Sequence, residues 1–182
     1  MLHRSISPSL HRAAFVAAAL LLLLSSNCAY STRSRLPEHA KSIAVPVFGN
    51  KSYYDEYTRR LEVEVTDSVR KYFLENGQLR IAGREEADLI LEGEVMNLER
   101  RPLRTDRFGE PAEAQVKISS RISLYDVKTA KYIFQNLLVN NEPNRPESGV
   151  YNLRRGEYEG LGRQRAVEDL SRVVTHKVLD QW

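Results

Sequence analysis

A strict alternation of side-chain types over residues 112–125 restricts the fold of this chain more than any other feature. Apolar or small residues occupy every second position, namely Ala112, Ala114, Val116, Ile118, Ser120, Ile122 and Leu124. Polar residues and one tyrosine lie between them, namely Glu113, Gln115, Lys117, Ser119, Arg121, Ser123 and Tyr125. Because successive side chains of a strand point to opposite faces of a sheet, the pattern predicts a long antiparallel strand with one buried and one solvated face.

Two segments carry the four-residue period of an amphipathic helix. The apolar positions are Tyr57, Leu61, Val65, Val69 and Phe73 in residues 53–75, and Val167, Leu170, Val174 and Val178 in residues 160–181. Gly77 is suited to end the first helix, because glycine readily adopts the left-handed conformation that follows a helix. Each helix is expected to lay one apolar stripe on the sheet.

Shorter apolar runs predict the remaining strands at residues 42–48, 78–82, 87–98 and 132–139, and residues 140–149 are predicted to form a loop. The element order is then β-α-β-β-β-β-α. Pro46 lacks the N–H that a central ladder requires, so it is expected at an edge or at a strand end. The economical arrangement is an α+β two-layer sandwich, with two helices packed on one face of a mostly antiparallel sheet.

The N-terminus predicts export from the cytoplasm. Arg4 and Arg12 make the first residues polar and positively charged, and an unbroken apolar run follows at residues 13–24. A membrane-spanning helix needs about 20 apolar residues, whereas the core of a signal peptide needs about 7–15. Residues 1–27 are therefore interpreted as a signal peptide. The alternative, a buried amphipathic helix, is disfavoured because the run is apolar on every face.

Cys28 is the only cysteine, so it cannot form a disulfide within the chain. It follows the sequence LSSN at residues 24–27, which resembles a bacterial lipobox. No cofactor is expected apart from a covalent diacylglycerol and an N-acyl chain, such as palmitate, on Cys28; a free thiol is the alternative. Ala29 is not acidic, which favours sorting to the outer membrane. Residues 28–41 are then a lipidated tether, and residues 42–182 are the folded domain.

The composition favours binding over catalysis. The formal net charge is only +3, which gives no general argument for nucleic-acid binding. After the predicted signal peptide the only histidines are His39 and His176, and the sequence has no HExxH, GxSxG or phosphate-binding glycine motif. No catalytic residue, enzymatic activity or metal ligand is predicted. Glu85, Glu86 and Asp88 are interpreted as a solvated acidic turn, and Glu92 and Glu94 as the solvated face of a strand.

The turn between the two longest predicted strands is rich in arginine. The residues concerned are Arg100, Arg101, Arg104 and Arg107, with Phe108 directly after the last of them. A guanidinium presents a planar fork of donors that matches phosphate geometry, so this hairpin is a candidate contact for a phosphate or an acidic sugar. The alternative is an ordinary solvated hairpin. Arg154 and Arg155 form a second basic group before the last helix, where surface ion pairs with nearby glutamates are the stronger alternative.

Several stretches together resemble the lipopolysaccharide-assembly lipoproteins of the LptE family. They are LPEHAKSIAVPVF at residues 36–48, ADLILEG at residues 87–93 and DRFGEPAE at residues 106–113, in addition to Cys28 with Tyr30 shortly after it. The resemblance implies a domain of two helices against a four-stranded sheet.

The resemblance also implies a function. Such proteins plug and help assemble an outer-membrane β-barrel of the LptD type, and they bind lipopolysaccharide on its way to the outer leaflet. They are lipid-anchored at the outer membrane, exposed to the periplasm or to the barrel lumen. Arg107 matches a basic hairpin residue associated with lipopolysaccharide binding, and Arg154 or Arg155 falls near a second basic position. A structural pilot lipoprotein for another envelope machine, such as a secretin, is the alternative.

Overall fold

The structure is a computed structural model that describes residues 36–52, 58–141 and 148–179. The predicted signal peptide, Cys28 and the first part of the predicted tether lie outside these residues, as does Tyr57 of the first predicted helix. In the part of the chain that is described, no helix is both long enough and apolar enough to cross a membrane.

Within the described ranges, seven strands form one mixed sheet, and two helices accompany it. The strands are β1 (Ser42–Ala44), β2 (Gly49–Asn50), β3 (Arg80–Ile81), β4 (Leu89–Thr105), β5 (Pro111–Asp126), β6 (Lys131–Asn140) and β7 (Val150–Asn152). The helices are α1 (Leu61–Asn76) and α2 (Glu159–Leu179), and a short 3-10 turn (Leu153–Arg155) follows β7.

The sheet has the order β3-β1-β4-β5-β6, with β2 also paired to β4 and β7 to β5. β1 runs parallel to β3 and β4, and β2 runs parallel to β4, whereas the remaining pairs are antiparallel. The α+β fold with two helices is confirmed, but the prediction of a mostly antiparallel four-stranded sheet is wrong. The chain passes through α1 between β1 and β3, and such a crossover returns a strand in the parallel direction. Strands of two or three residues are also too short to show an alternation.

The core lies between the sheet and the two helices. The predicted stripe residues of α1 that the structure describes are all fully buried, namely Leu61, Val65, Val69 and Phe73. Leu170, Val174 and Val178 of α2 are fully buried in the same apolar cluster. Truncating a buried phenylalanine to alanine costs about 3–5 kcal/mol in a packed core. These helix stripes are therefore a main source of the stability of the sheet.

The predicted alternation is confirmed along β5, whose inward residues from Ala112 to Leu124 are all buried. Gln115 is the exception on the other face. It is also buried, and its Nε2 donates to the carbonyl oxygen of Ser148 at 3.0 Å, which offsets the cost of burying the amide. This hydrogen bond holds the segment before β7 against β5.

β4 and β5 form one long hairpin that runs from the pair Leu89 and Asp126 to the pair Thr105 and Pro111. Burial changes along its length. Leu89 is fully buried, whereas every residue of β4 from position 100 to its end is exposed. The arginine-rich half of the hairpin therefore extends beyond the core, at the end of the sheet opposite to the segment that leads into β1.

Candidate functional site

The tip of the β4–β5 hairpin is a tight turn built around Asp106. The Asp106 N–H donates to the carbonyl oxygen of Glu110 at 2.8 Å, and Asp106 Oδ1 accepts from the N–H groups of Phe108 and Glu110 at 2.8 and 3.0 Å. Gly109 adopts φ 84°, a conformation that glycine tolerates without a steric cost. The bond from Phe108 above all, with that from Glu110 and the charge of Arg154, lowers the pKa of Asp106. The turn is thus held by an ionised carboxylate.

Arg107 and Phe108 form the apex of this turn. The Phe108 side chain is 74% exposed. The guanidinium carbon of Arg107 lies 4.7 Å from the centre of the Phe108 ring, which is a cation–π contact. The apex therefore presents a positive charge and an apolar ring side by side, a combination that suits a ligand with both anionic and apolar parts.

The second predicted basic group lies beside the first. β7 pairs with β5 so that Asn152 lies opposite Glu113, close to the hairpin tip. Asn152 Oδ1 accepts from the N–H groups of Arg154 and Arg155 at 3.0 and 3.2 Å, which shapes the 3-10 turn. Arg154 Nη2 then lies 3.6 Å from Asp106 Oδ2. The two arginine groups, separate in the sequence, thus share one end of the molecule.

A cleft of about 320 Å³ opens between the hairpin and the 3-10 turn, and it is lined in part by Arg104, Glu113, Arg155, Glu157 and Arg165. Arg165 is neutralised, because its Nη1 and Nη2 donate to the two carboxylate oxygens of Glu157 at 3.1 Å each. These bonds lower the pKa of Glu157. In the described part of the chain Arg104 and Arg155 form no ion pair, so both guanidiniums can meet an external anion.

Arg100 and Arg101, which were also predicted as binding residues, lie further from the tip and contact carboxylates of the protein itself. Arg100 Nη1 lies 3.2 Å from Glu159 Oε2, in the first turn of α2. Arg101 Nη2 lies 2.9 Å from Glu99 Oε2 on the same strand. The ion pair of Arg100 joins the hairpin to α2, and that of Arg101 lies within β4. The arginines nearest the tip are therefore Arg104, Arg107, Arg154 and Arg155.

Three exposed apolar side chains at this end of the molecule were not predicted. Leu103 is 50% exposed, Leu153 is 43% exposed and Tyr158 is 70% exposed. Leu103 lies within the arginine-rich strand, Leu153 is the first residue of the 3-10 turn, and Tyr158 follows that turn. In the sequence these apolar residues lie close to the arginines, and that pattern could have predicted an amphipathic surface. With Phe108 they make the basic tip amphipathic. The name basic tip is used below for residues 103–110 and 153–158.

The opposite end of the sheet fixes the segment that enters β1. Asp88 Oδ2 accepts from the N–H groups of Lys41 and Ser42 at 2.9 and 3.0 Å and from Ser42 Oγ at 2.8 Å. His39 Nε2 lies 3.0 Å from Asp126 Oδ1. The prediction of a solvated acidic turn is confirmed for Glu85 and Glu86, which are exposed in a turn, but it is wrong for Asp88, whose carboxylate caps the start of β1. The local sequence could not indicate this contact, because the hydrogen-bonding partners of Asp88 are more than 40 residues away in the sequence.

Two helices on a mixed sheet, with a protruding amphipathic and basic hairpin, define a small α+β domain. The chain belongs to the lipopolysaccharide-assembly family, LptE, whose family model matches residues 40–178. This confirms the resemblance found in the sequence. The family consists of non-enzymatic envelope lipoproteins that act in lipopolysaccharide assembly, which agrees with the prediction that the chain is not an enzyme.

Several solved structures are similar to this chain. A protein of Chlamydia trachomatis is 12% identical with a TM-score of 0.48, and the match covers 76% of this chain and 98% of that one. A minor lipoprotein of Acinetobacter baumannii is 11% identical with a TM-score of 0.46, covering 78% and 92%. Uncharacterized lipoprotein B of Nitrosomonas europaea is 10% identical with a TM-score of 0.46, covering 77% and 83%. A comparison with curated protein sequences found no match.

Proposed function

We propose that this protein is a lipid-anchored component of the outer-membrane translocon that assembles lipopolysaccharide. In this role it plugs and helps assemble a β-barrel of the LptD type, and it binds lipopolysaccharide. The observation that carries the proposal is the basic tip. There the guanidinium of Arg107 lies against the exposed ring of Phe108, and Arg104 and Arg155 line the neighbouring cleft, in a member of the lipopolysaccharide-assembly family.

The chemistry of the basic tip fits an anionic glycolipid. Phosphate groups on such a lipid match the planar donor fork of arginine, and hydrogen bonds to charged groups each contribute about 1.5–3 kcal/mol before solvent screening. The acyl chains next to those phosphates match the exposed side chains of Phe108, Leu103 and Tyr158. A purely hydrophilic polyanion would leave these apolar side chains without a role.

The anchoring part of the proposal concerns residues 1–41. Residues 1–27 are removed as a signal peptide, Cys28 carries the acyl chains, and the chain to residue 41 connects the lipid to the domain. Each buried methylene of an acyl chain contributes about 0.8 kcal/mol, so two or more chains hold the protein stably at the membrane. Ala29 directs it to the outer membrane. Labelled palmitate should appear on the full chain and not on its Cys28→Ser variant.

Affinity purification of the full-length protein from envelope membranes tests the barrel interaction. The intact chain should co-purify with an LptD-type barrel, and deletion of residues 100–109 should abolish that recovery because it removes the hairpin arm. A Lys128→Glu variant is the matched control. Lys128 lies in the turn after β5, at the end of the sheet opposite the basic tip, so its recovery of the barrel should be unchanged.

Two results would contradict the proposal. Full retention of the barrel after the deletion would show that the hairpin is not part of the interface. Recovery of a secretin instead of a lipopolysaccharide-exporting barrel would identify the chain as a pilot lipoprotein for another envelope machine.

A further inference from the structure

A separate groove crosses the face of the sheet opposite the helices. Its volume is about 530 Å³, which falls within the roughly 300–1,000 Å³ typical of small-ligand sites. Its floor is formed by two cross-strand pairs of β4 and β5, namely Glu92 with Ser123 and Glu94 with Arg121. The groove shares no lining residue with the cleft at the basic tip.

The walls of the groove come from two different parts of the sheet. On one side lie Val47 and Lys51, before and after β2, and on the other side lie Tyr132, Gln135 and Asn136 of β6. β6 is bulged here: its register on β5 shifts, and Asn136 adopts φ 56°. Bulges re-aim side chains and are frequent beside functional sites. This bulge presents two neighbouring amide side chains to the groove.

The charged groups of the groove pair with one another. Lys51 Nζ lies 2.8 Å from Glu94 Oε1, and Arg121 Nη1 lies 3.8 Å from Glu94 Oε2. Arg84 Nη2 lies 3.1 Å from Glu92 Oε1. Three cations therefore face two carboxylates, so the lining is nearly neutral. Such a surface offers many oriented donors and acceptors but little attraction for a polyanion.

At the centre of the floor the backbone is paired on both sides, so no strand can be added there. At Glu94, β4 is paired with both β2 and β5, and at Arg121, β5 is paired with both β4 and β6. An occupant must therefore be recognised by side chains. Sugars fit this requirement, because each ring offers hydroxyls that donate and accept, and apolar C–H faces. Tyr132, 44% exposed, and Val47, 57% exposed, provide the surfaces for those faces.

We propose that this groove binds uncharged sugar residues of an oligosaccharide, through the carboxylates and amides of its floor and walls and the ring of Tyr132. The identification of that oligosaccharide as the sugar portion of lipopolysaccharide rests on the proposed function. The lipid would then be held at two sites, by its phosphates and acyl chains at the basic tip and by its sugars on the open face of the sheet.

Isothermal titration calorimetry on the full-length protein in non-ionic detergent tests the groove. The probe is the core oligosaccharide released from lipopolysaccharide by mild acid and then dephosphorylated. Asn136→Gly keeps the left-handed backbone and removes the amide, and Glu92→Gln removes one charge. Each variant should weaken binding about fivefold, because Asn136→Gly loses the amide hydrogen bond and Glu92→Gln replaces a charged acceptor with a weaker neutral one. Arg107→Gln at the basic tip is the matched control and should leave the affinity unchanged.

The results separate this proposal from the proposed function. If the intact protein retains whole lipopolysaccharide but gives no heat with the oligosaccharide, the groove proposal is wrong and the proposed function stands. If the oligosaccharide binds in the groove while whole lipopolysaccharide does not bind, the groove proposal stands and the proposed function is wrong. An equal loss of oligosaccharide binding in Arg107→Gln would also overturn the proposal. So would a photo-crosslinker at Gln135 that captures a polypeptide and no sugar, since the groove would then be a protein-docking surface.

Discussion

Arg163 and Glu64 join the two helices through a two-point ion pair, although they are 99 residues apart in the sequence. Arg163 Nε donates to Glu64 Oε2 at 3.1 Å, and Arg163 Nη2 donates to Glu64 Oε1 at 2.8 Å. The same Nη2 donates to the carbonyl oxygen of Arg59, just before α1. Because α2 follows closely on the 3-10 turn, this pair helps to fix the position of the basic tip relative to the core.

Replacing Arg163 with methionine should lower the free energy of unfolding by about 1 kcal/mol, since the carboxylate of Glu64 is half exposed and water screens the pair. Urea denaturation measures the change. Glu64→Gln and the double variant complete a thermodynamic cycle. If the two single effects simply add to within about 0.3 kcal/mol, the residues are not coupled and the account of the helix contact is wrong.

Gly93 marks a close contact between β4 and the ring of Phe48. A Cβ placed at Gly93 would lie 2.3 Å from Cε2 of Phe48, which is far inside van der Waals contact. Gly93→Ala should therefore destabilise the fold by at least about 1–3 kcal/mol, as overpacking of a core does. Gly83→Ala is the control, because a Cβ there meets no atom within 4 Å. Equal melting temperatures for the two variants would contradict the contact.

Asp88 makes the stability of the domain sensitive to acid. Hydrogen bonds from the Lys41 N–H and from the Ser42 side chain and N–H lower the pKa of Asp88. The unfolded chain then binds more protons below about pH 4, so this stabilisation is present at neutral pH and is lost as the pH falls through the lowered pKa. Asp88→Ala should cost about 1–2 kcal/mol at pH 7, because the part-buried donors of Ser42 lose their acceptor.

The pH dependence provides the check on this prediction. The difference in unfolding free energy between the wild type and Asp88→Ala should shrink as the pH is lowered towards 3, because the wild type loses the same interaction on protonation. A difference that is constant from about pH 7 to pH 3 would show that ionised Asp88 does not cap β1.

The basic tip should bind lipopolysaccharide through exposed charges. Arg107→Glu should weaken binding of lipopolysaccharide, most strongly at low ionic strength, because exposed charges are screened within about 10 Å at 0.1 M salt. Surface plasmon resonance at several salt concentrations measures the effect. Arg101→Gln is the control, since Arg101 pairs with Glu99 of its own strand. An unchanged affinity in Arg107→Glu would show that the arginine has no part in binding.

The elements with a long repeating pattern could be predicted from the sequence. β5, the stripe of α1 from Leu61 to Phe73 and the end of that helix at Gly77 all follow from local periodicity and turn chemistry. The parallel pairing of β1 with β3 and β4 could not be predicted, since it depends on contacts between distant segments and on strands of two or three residues.

The candidate site was predictable in its residue types but not in its geometry. Arg107 and Phe108 are at the apex of a hairpin whose position the alternating strands indicated. The pairing of β7 with β5 brings Arg154 close to Asp106. It also leaves Leu153 and Tyr158 exposed beside them. Such a pairing of three residues leaves no mark in the sequence pattern.

A photo-crosslinking amino acid at position 108, in the full-length protein of growing cells, tests whether the basic tip contacts lipopolysaccharide. The apex is exposed and lies at the tip of the hairpin. Position 108 should give an adduct that reacts with antibodies against lipopolysaccharide, whereas position 127, which is exposed at the opposite end of the sheet, should give none. Lipopolysaccharide captured equally at both positions, or at neither, would contradict it.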